Sequence, residues 1–227
     1  MDFDAAVFDL DGTLLDSLGM WDSLDAVFLK KRGLGAPADY SAAVNAMSFQ
    51  EAAEYTVRRF GLADTPDSLM REWDALAAEA YENSIPLKPG AKEFLLSLRA
   101  AGKKLGVATA LSPRLYGPAL RRNGVYGLFD AFAHLGEVKR GKGFPDIYLL
   151  AAKRLGAPPE QCAVFEDVLP GVLGAKAAGM KAIGVYDPSS KEDEEKMRAA
   201  ADGYLERWPA EGLAGLREKR ETQGGNR

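Results

Sequence analysis

The sequence predicts an α/β fold, a doubly wound parallel sheet of Rossmann-like type that carries an inserted, all-helical domain. From residue 91 onward, short apolar strands alternate with amphipathic helices, which is typical of a parallel sheet. Residues 17–83 show helical spacing and no strand pattern. The first apolar strand ends in a pair of carboxylates, and such sheets bind ligands at the carboxyl ends of their strands.

The first half of the chain contains one strand and four helices by local signals. Strand 4–9 is short, continuous and apolar, as buried parallel strands are. Ser17 is placed to cap the helix after it, and Gly33 lies just beyond that helix. Ser48 and Glu51 form a capping-box pattern. The predicted helices span residues 17–32, 41–46, 48–60 and 65–83.

The second half begins with a linker, 84–90, that contains two prolines and a glycine. Helix 112–124 has Ser112 as its cap and proline at its first position. Residues 187–201 are polar and predicted to be partly helical. The other predicted helices span residues 91–101, 145–155 and 170–178. The predicted strands span residues 104–109, 129–135, 162–166 and 181–185, with an edge strand at 202–205.

These signals predict two domains. Residues 1–16 and 86–227 form the sheet domain, in which 217–227 is a polar tail expected to be disordered. Residues 17–85 form the helical insertion. Because the insertion follows the first strand at its carboxyl end, we expect it to act as a lid over that edge.

Composition narrows the range of functions. The net charge is −4 with no large basic block, which argues against nucleic acid as a partner. No apolar stretch approaches the roughly 20 residues that a membrane span needs. Cys162 is the only cysteine, which excludes an intramolecular disulfide and fits a cytoplasmic location. His134 is the only histidine, so a zinc site with several histidines is impossible.

Carboxylates stand at the ends of two predicted strands. Asp9 and Asp11 are two residues apart, and strand alternation predicts that they point to the same face. Adjacent negative charges need a compensating cation, and a hard divalent ion is the simplest one. Thr109 and the pair Glu166-Asp167 also fall at predicted strand ends. We therefore expect all of them at one edge of the sheet.

The order of these residues resembles the four motifs of the haloacid dehalogenase superfamily. The motifs correspond to Asp9-Leu10-Asp11-Gly12-Thr13, Thr109, Lys142 and Glu166-Asp167. Residues 17–85 resemble the C1-type cap of that superfamily. The chain is most similar to its phosphatase and beta-phosphoglucomutase-like branch.

The resemblance implies a role for each motif residue. Asp9 is the nucleophile that forms an aspartyl-phosphate, and Asp11 is the general acid and base. Thr109 and the backbone N–H of Ala110 bind phosphate oxygens. Lys142 offers a positive charge to the phosphoryl group and to Asp9.

The resemblance also implies the cofactor Mg²⁺, which suits oxygen-only ligands. The carboxylates of Asp9 and Asp167 and the backbone carbonyl of Asp11 would bind it, with assistance from Glu166, directly or through water. Two positions depart from the family pattern close to these residues, since Gly143 replaces a proline after Lys142 and Val168 replaces a serine after Asp167.

The expected function is hydrolysis of a small phosphorylated metabolite, such as a sugar or polyol phosphate, by a monomer or small homo-oligomer. A beta-phosphoglucomutase-type phosphomutase is the main alternative, and a non-catalytic protein that binds a phosphorylated ligand is the third. The mutases carry a cap histidine where Trp21 stands here, which favours the phosphatase and makes Trp21 a candidate contact at the cap hinge. Asp11 argues against dehalogenation, because the dehalogenases lack it.

Overall fold

A computed structural model of the chain describes residues 2–37, 39–45, 47, 49–210 and 212–216. The chain forms two compact units. One unit is formed by the chain segments before and after the insertion, which border it at Asp16 and Pro86. The other unit is Ser17–Ile85. The proposed tail 217–227 and the predicted cap Ser48 lie outside the described residues. No helix in the described part is both long and apolar enough to cross a membrane.

The insertion contains four described helices around a small core of its own. They are α1 (Leu18–Lys31), α2 (Tyr40–Asn45), α3 (Phe49–Phe60) and α4 (Pro66–Asn83). Phe28 and Trp73 are buried and meet edge to face, at 5.5 Å between ring centroids. Arg32 lies over the Phe28 ring and forms ion pairs with Asp64 and Glu72. The core therefore combines apolar contacts with charged side chains at its rim.

The other unit contains a six-stranded sheet in which every pair is parallel. Its strands are β1 (Ala5–Phe8), β2 (Lys104–Thr109), β3 (Ala131–His134), β4 (Cys162–Glu166), β5 (Lys181–Val185) and β6 (Gly203–Leu205). They are ordered β3-β2-β1-β4-β5-β6. This order confirms the predicted doubly wound parallel sheet.

Helices connect the strands of this sheet. They are α5 (Ala91–Ala100), α6 (Pro113–Arg122), α7 (Asp146–Leu155), α8 (Leu169–Ala177) and α9 (Glu194–Ala200). Short 3-10 helices lie at Tyr126–Leu128, Leu135–Glu137, Pro159–Gln161, Pro188–Asp193 and Gly212–Gly215. The predicted partly helical segment 187–201 is confirmed by one 3-10 helix and α9.

Three local predictions differ from the structure in detail. The strand predicted over 129–135 is present but shorter, at Ala131–His134, and it is followed by a 3-10 helix where the Glu137 carboxylate accepts the His134 N–H. Ser17 has helical rather than extended backbone angles, and its side chain makes no capping bond. Ser112 also makes no capping bond, although Pro113 begins the helix as predicted.

The two chain segments that lead into the insertion run side by side within the sheet unit. Asp16 N–H donates to Pro86 O at 3.0 Å, and Lys88 N–H donates to Leu14 O at 2.8 Å. The Lys88 ammonium lies 2.7 Å from an Asp187 carboxylate oxygen, and both side chains are largely buried. Asp187 follows β5, so this ion pair fixes the returning segment to the sheet.

We expect Asp187→Asn to lower the free energy of unfolding by about 3 kcal/mol at neutral pH, because it leaves the Lys88 charge uncompensated. Burial alone raises the pKa of Asp187, but hydrogen bonds from Lys88 and Ser189 outweigh burial and hold this pKa below its ordinary value. The carboxylate therefore stabilises the folded state above about pH 4, and this contribution is lost as the pH falls.

Urea unfolding between about pH 3 and about pH 7 tests this expectation, and the difference between the two proteins should shrink toward the acid end. Asp193→Asn is the matched control, because Asp193 forms an exposed ion pair with Lys196. That pair should contribute less than about 1 kcal/mol. Equal losses in both variants would contradict the role assigned to Asp187.

Candidate active site

The candidate residues gather where the central strands end. Asp9 directly follows β1, and Glu166-Asp167 closes β4, its neighbour in the sheet. Asp9 N–H donates to Phe165 O at 3.0 Å, so the two strands end at the same level. The strand order changes direction between β1 and β4, and open parallel sheets form their binding crevice at such a point.

Three buried carboxylates form a cluster at this edge. Oxygens of Asp9, Glu166 and Asp167 lie within 4.8 Å of one another. The Lys142 ammonium lies 2.5 Å from Asp9 Oδ1 and 2.7 Å from Glu166 Oε1. Arg140, two residues before Lys142, instead forms an ion pair with Asp146. The structure therefore brings together four of the predicted side chains.

The electrostatics of the cluster show an excess of negative charge. Burial alone would lower the pKa of Lys142, but the carboxylates of Asp9, Glu166 and Asp167 outweigh burial and raise it, so the ammonium stays charged. Burial raises the pKa of Glu166, and Lys142 opposes that rise. Burial and then the Asp9 and Glu166 carboxylates raise the pKa of Asp167 well above its ordinary value. One ammonium does not compensate three carboxylates.

The donor set fits a hard divalent cation. Asp9, Asp167 and Glu166 offer only oxygen atoms, and these lie close enough together to share one ion. A divalent cation would also compensate the charge that Lys142 leaves unbalanced, and it would oppose the rise in the Asp167 pKa that burial and the neighbouring carboxylates cause.

Glu166 has further partners that the sequence did not reveal. Tyr148 Oη donates to Glu166 Oε1 at 3.1 Å, and the N–H of Asp167 donates to Oε2 at 3.1 Å. Tyr148 is fully buried in the first turn of α7. In the sequence, this contact is indicated only by the hydroxyl group of Tyr148 on the apolar face of that helix.

A second unpredicted contact fixes Asp167. Thr13 is buried, and its hydroxyl donates to Asp167 Oδ1 at 2.8 Å. The indole N–H of Trp208 donates to Thr13 O at 3.3 Å. Thr13 belongs to the first motif, so its position in the sequence could have suggested a role. Trp208 lies far along the chain and gave no such signal.

Thr109 and Ala110 lie at the end of β2, which neighbours β1 on the other side from β4. Thr109 is buried, and its hydroxyl oxygen accepts the Leu111 N–H at 3.1 Å. Ala110 is exposed. Both residues share the sheet edge with Asp9, as predicted.

Strand alternation predicted that Asp11 shares a face with Asp9. β1 ends at Phe8, so both residues lie beyond the strand, and this pairing stays a prediction. Asp11 is half-buried, pairs with Leu15 through a backbone bridge, and is not a member of the carboxylate cluster. Trp21 lies in α1, and its side chain is outside the described part of the structure.

Helix α8 packs against the site so closely that two of its residues must be glycine. A Cβ atom on Gly174 would lie 1.9 Å from the Lys142 carbonyl oxygen. A Cβ atom on Gly171 would lie 2.3 Å from Glu166 Cδ. Real Cβ contacts are never this short. The two glycines therefore allow the helix to contact both Lys142 and Glu166.

We expect Gly174→Ala to lower the free energy of unfolding by about 3 kcal/mol, because the methyl group would displace a backbone carbonyl in a packed region. Helix propensity alone predicts the opposite sign, since alanine stabilises a helix interior by about 1 kcal/mol relative to glycine. Urea unfolding measures the change. Gly141→Ala is the control, because a Cβ there meets nothing within 4 Å. A stabilised Gly174→Ala variant would contradict the packing described.

Comparison with known proteins agrees with this geometry. A family model of haloacid dehalogenase-like hydrolases matches residues 3–179. Hexitol phosphatase A of Escherichia coli (strain K12) is 35% identical over 187 residues, 81% of this chain and 83% of that protein. The crystal structure of CbbY from Rhodobacter sphaeroides in complex with phosphate has a TM-score of 0.75 at 28% identity, covering 94% of this chain and 99% of that one.

A beta-phosphoglucomutase from Clostridium difficile shares the fold, with a TM-score of 0.67 at 20% identity over 91% of this chain and 92% of that one. The resemblance expected from the motifs is thus confirmed over most of the chain. The family match, the identity to a phosphatase and the carboxylate cluster lead to one conclusion: the chain belongs to the haloacid dehalogenase-like hydrolases and acts on phosphate monoesters.

Proposed function

We propose that the protein is a Mg²⁺-dependent phosphatase of small sugar or polyol phosphates, and that it works through an aspartyl-phosphate on Asp9. One observation carries the proposal: the buried Asp9 carboxylate lies 2.5 Å from the Lys142 ammonium, beside the Asp167 carboxylate. The similarity to a hexitol phosphatase supports a polyol phosphate as the substrate class.

In the first step, an Asp9 carboxylate oxygen attacks phosphorus, and the bond from phosphorus to the ester oxygen breaks. The leaving alkoxide takes a proton from Asp11 and departs as the alcohol. The phosphoryl group is then bound to Asp9 as an acyl phosphate. Lys142 holds Asp9 in place and offsets the repulsion between the carboxylate and the incoming phosphate.

In the second step, water attacks the phosphorus of the intermediate. Asp11, now a carboxylate, accepts a proton from this water, and the bond between phosphorus and Asp9 breaks to release inorganic phosphate. The half-buried position of Asp11, outside the carboxylate cluster, suits a group that exchanges protons with water and substrate. Thr109 and the N–H of Ala110 bind the phosphate oxygens during both steps.

Asp9, Asp167 and Glu166 are the side chains that would hold Mg²⁺, together with the Asp11 backbone carbonyl. The ion supplies Lewis-acid charge compensation for the transferring phosphoryl group. The residues keep their own tasks beside it: Thr13 orients Asp167, and Lys142 remains the fixed cation next to Asp9.

We expect Asp9→Asn to lower kcat at least about 10³-fold, because the amide cannot form the acyl phosphate. The measurement is phosphate release from a panel of sugar and polyol phosphates in the presence of Mg²⁺. Asp4→Asn is the matched control, since Asp4 lies just before the amino end of the same strand with a mostly exposed side chain. Turnover retained by Asp9→Asn would exclude Asp9 as the nucleophile.

A chelator should abolish turnover, and added Mg²⁺ should restore it. Independently of activity, Mg²⁺ at 100 times its dissociation constant should stabilise the folded protein by about 2.7 kcal/mol, because only the folded chain forms the cluster. Thermal unfolding with and without MgCl₂ measures this effect, and NaCl of equal ionic strength is the control. Asp167→Asn should remove most of the response. An equal response to both salts would exclude a specific site.

The phosphomutase alternative predicts a different product. Incubation with beta-glucose 1-phosphate would give glucose 6-phosphate faster than inorganic phosphate if the protein were a mutase. We expect phosphate release to be the faster process, because no histidine occurs in residues 17–85 to protect the intermediate from water.

A further inference from the structure

Tyr148 connects three parts of the candidate active site. It stands in the first turn of α7, close after the loop that carries Lys142. Its hydroxyl donates to Glu166 Oε1 at 3.1 Å, at the end of β4. Its side chain is fully buried and lies against α8 near Gly174. A buried hydroxyl in this position binds a carboxylate rather than water.

The Glu166 oxygen that Tyr148 contacts is the same one that holds Lys142. Lys142 Nζ lies 2.7 Å from Oε1, and the Tyr148 hydroxyl lies 3.1 Å from it. The other oxygen, Oε2, accepts the backbone N–H of Asp167. Both carboxylate oxygens are therefore engaged, which fixes the rotation of the carboxylate about its terminal bond.

Helix α8 packs closely against both residues. A Cβ atom on Gly174 would lie 2.9 Å from Tyr148 Cε2, and one on Gly171 would lie 2.3 Å from Glu166 Cδ. The helix backbone therefore lies directly against both side chains, and such close packing restricts their movement.

The hydrogen bond between Tyr148 and Glu166 affects Asp9 through Lys142. The ammonium is shared between Asp9 Oδ1 at 2.5 Å and Glu166 Oε1 at 2.7 Å. Without the Tyr148 hydroxyl, the ammonium would be the only side-chain donor to Oε1 among the residues that the structure describes. The ammonium would then be drawn toward Glu166 and away from Asp9, because a buried carboxylate needs its remaining donor more strongly.

We propose that Tyr148 is a positioning residue of the phosphatase site, which holds Glu166 so that the Lys142 ammonium stays in contact with Asp9 and with the phosphate group. The inference deepens the proposed function and rests on it. Tyr148 does not touch the substrate in this scheme, and its whole effect passes through Glu166.

Tyr148→Phe keeps the ring and its packing and removes only the hydroxyl. We expect Tyr148→Phe to lower kcat/KM about tenfold, because it removes a hydrogen bond to a buried charge. We also expect about tenfold weaker binding of inorganic phosphate, measured by calorimetry in the presence of Mg²⁺, because the ammonium binds phosphate directly. Tyr116→Phe is the matched control, since Tyr116 is a buried tyrosine of the same unit that stacks on Phe132.

A double-mutant cycle with Glu166→Gln separates positioning from a general structural role. If Tyr148 acts through Glu166, Tyr148→Phe should have less than about a twofold further effect on kcat/KM and phosphate binding in the Glu166→Gln protein. Thermal unfolding of all four proteins shows that each is folded. Effects that multiply in the double variant would overturn the inference, as would phosphate binding by Tyr148→Phe equal to that of the parent.

Phosphate release by the parent protein distinguishes failure of the proposed function from failure of the positioning role alone. If it releases phosphate from none of the esters in the panel, the proposed function fails. If it releases phosphate while Tyr148→Phe matches it in both measurements, the positioning role alone fails.

Discussion

The contact of one ammonium with two buried carboxylates is the constraint on which the site depends. Lys142 lies between the buried carboxylates of Asp9 and Glu166, so each charge needs the others. Coulomb attraction at such distances is strong where the effective dielectric constant is low. The surrounding structure therefore has to keep three chain segments together, namely the ends of β1 and β4 and the loop before α7.

Helix α8 helps to keep these segments together, because two of its glycines allow it to pack directly against them. Gly171 and Gly174 lie one turn apart and face Glu166 and the Lys142 carbonyl. The chain has Gly143 rather than the family's proline after Lys142, so the position of the loop depends on packing and on its ion pairs instead of on a rigid ring. The same packing explains why Tyr148 can reach Glu166, since its ring also lies against Gly174.

The sequence predicted the parts of the site that depend on strand ends and motif order. Asp9, Thr109 and Asp167 follow apolar runs, and parallel strands bring such positions to one edge. The sequence did not predict that Tyr148 and Gly174 contact the site, because the identity of a helix residue does not show which residue far along the chain it packs against. The pairing of Asp9 with Asp11 stays a prediction, because β1 ends at Phe8 and both residues lie beyond it.

The support of the site also extends beyond the segment that the family shares. Trp208 lies after residues 3–179, yet its ring packs on Phe8 and Phe165 and its N–H donates to Thr13 O. Phe8 immediately precedes Asp9, and Phe165 immediately precedes Glu166, so one indole supports both acidic positions from the core side. The segment that carries Trp208 is held in turn by Ser97, whose hydroxyl accepts the Leu213 N–H. Motif residues thus carry the proposed chemistry, while a residue outside the motifs helps to fix the strand ends on which they stand.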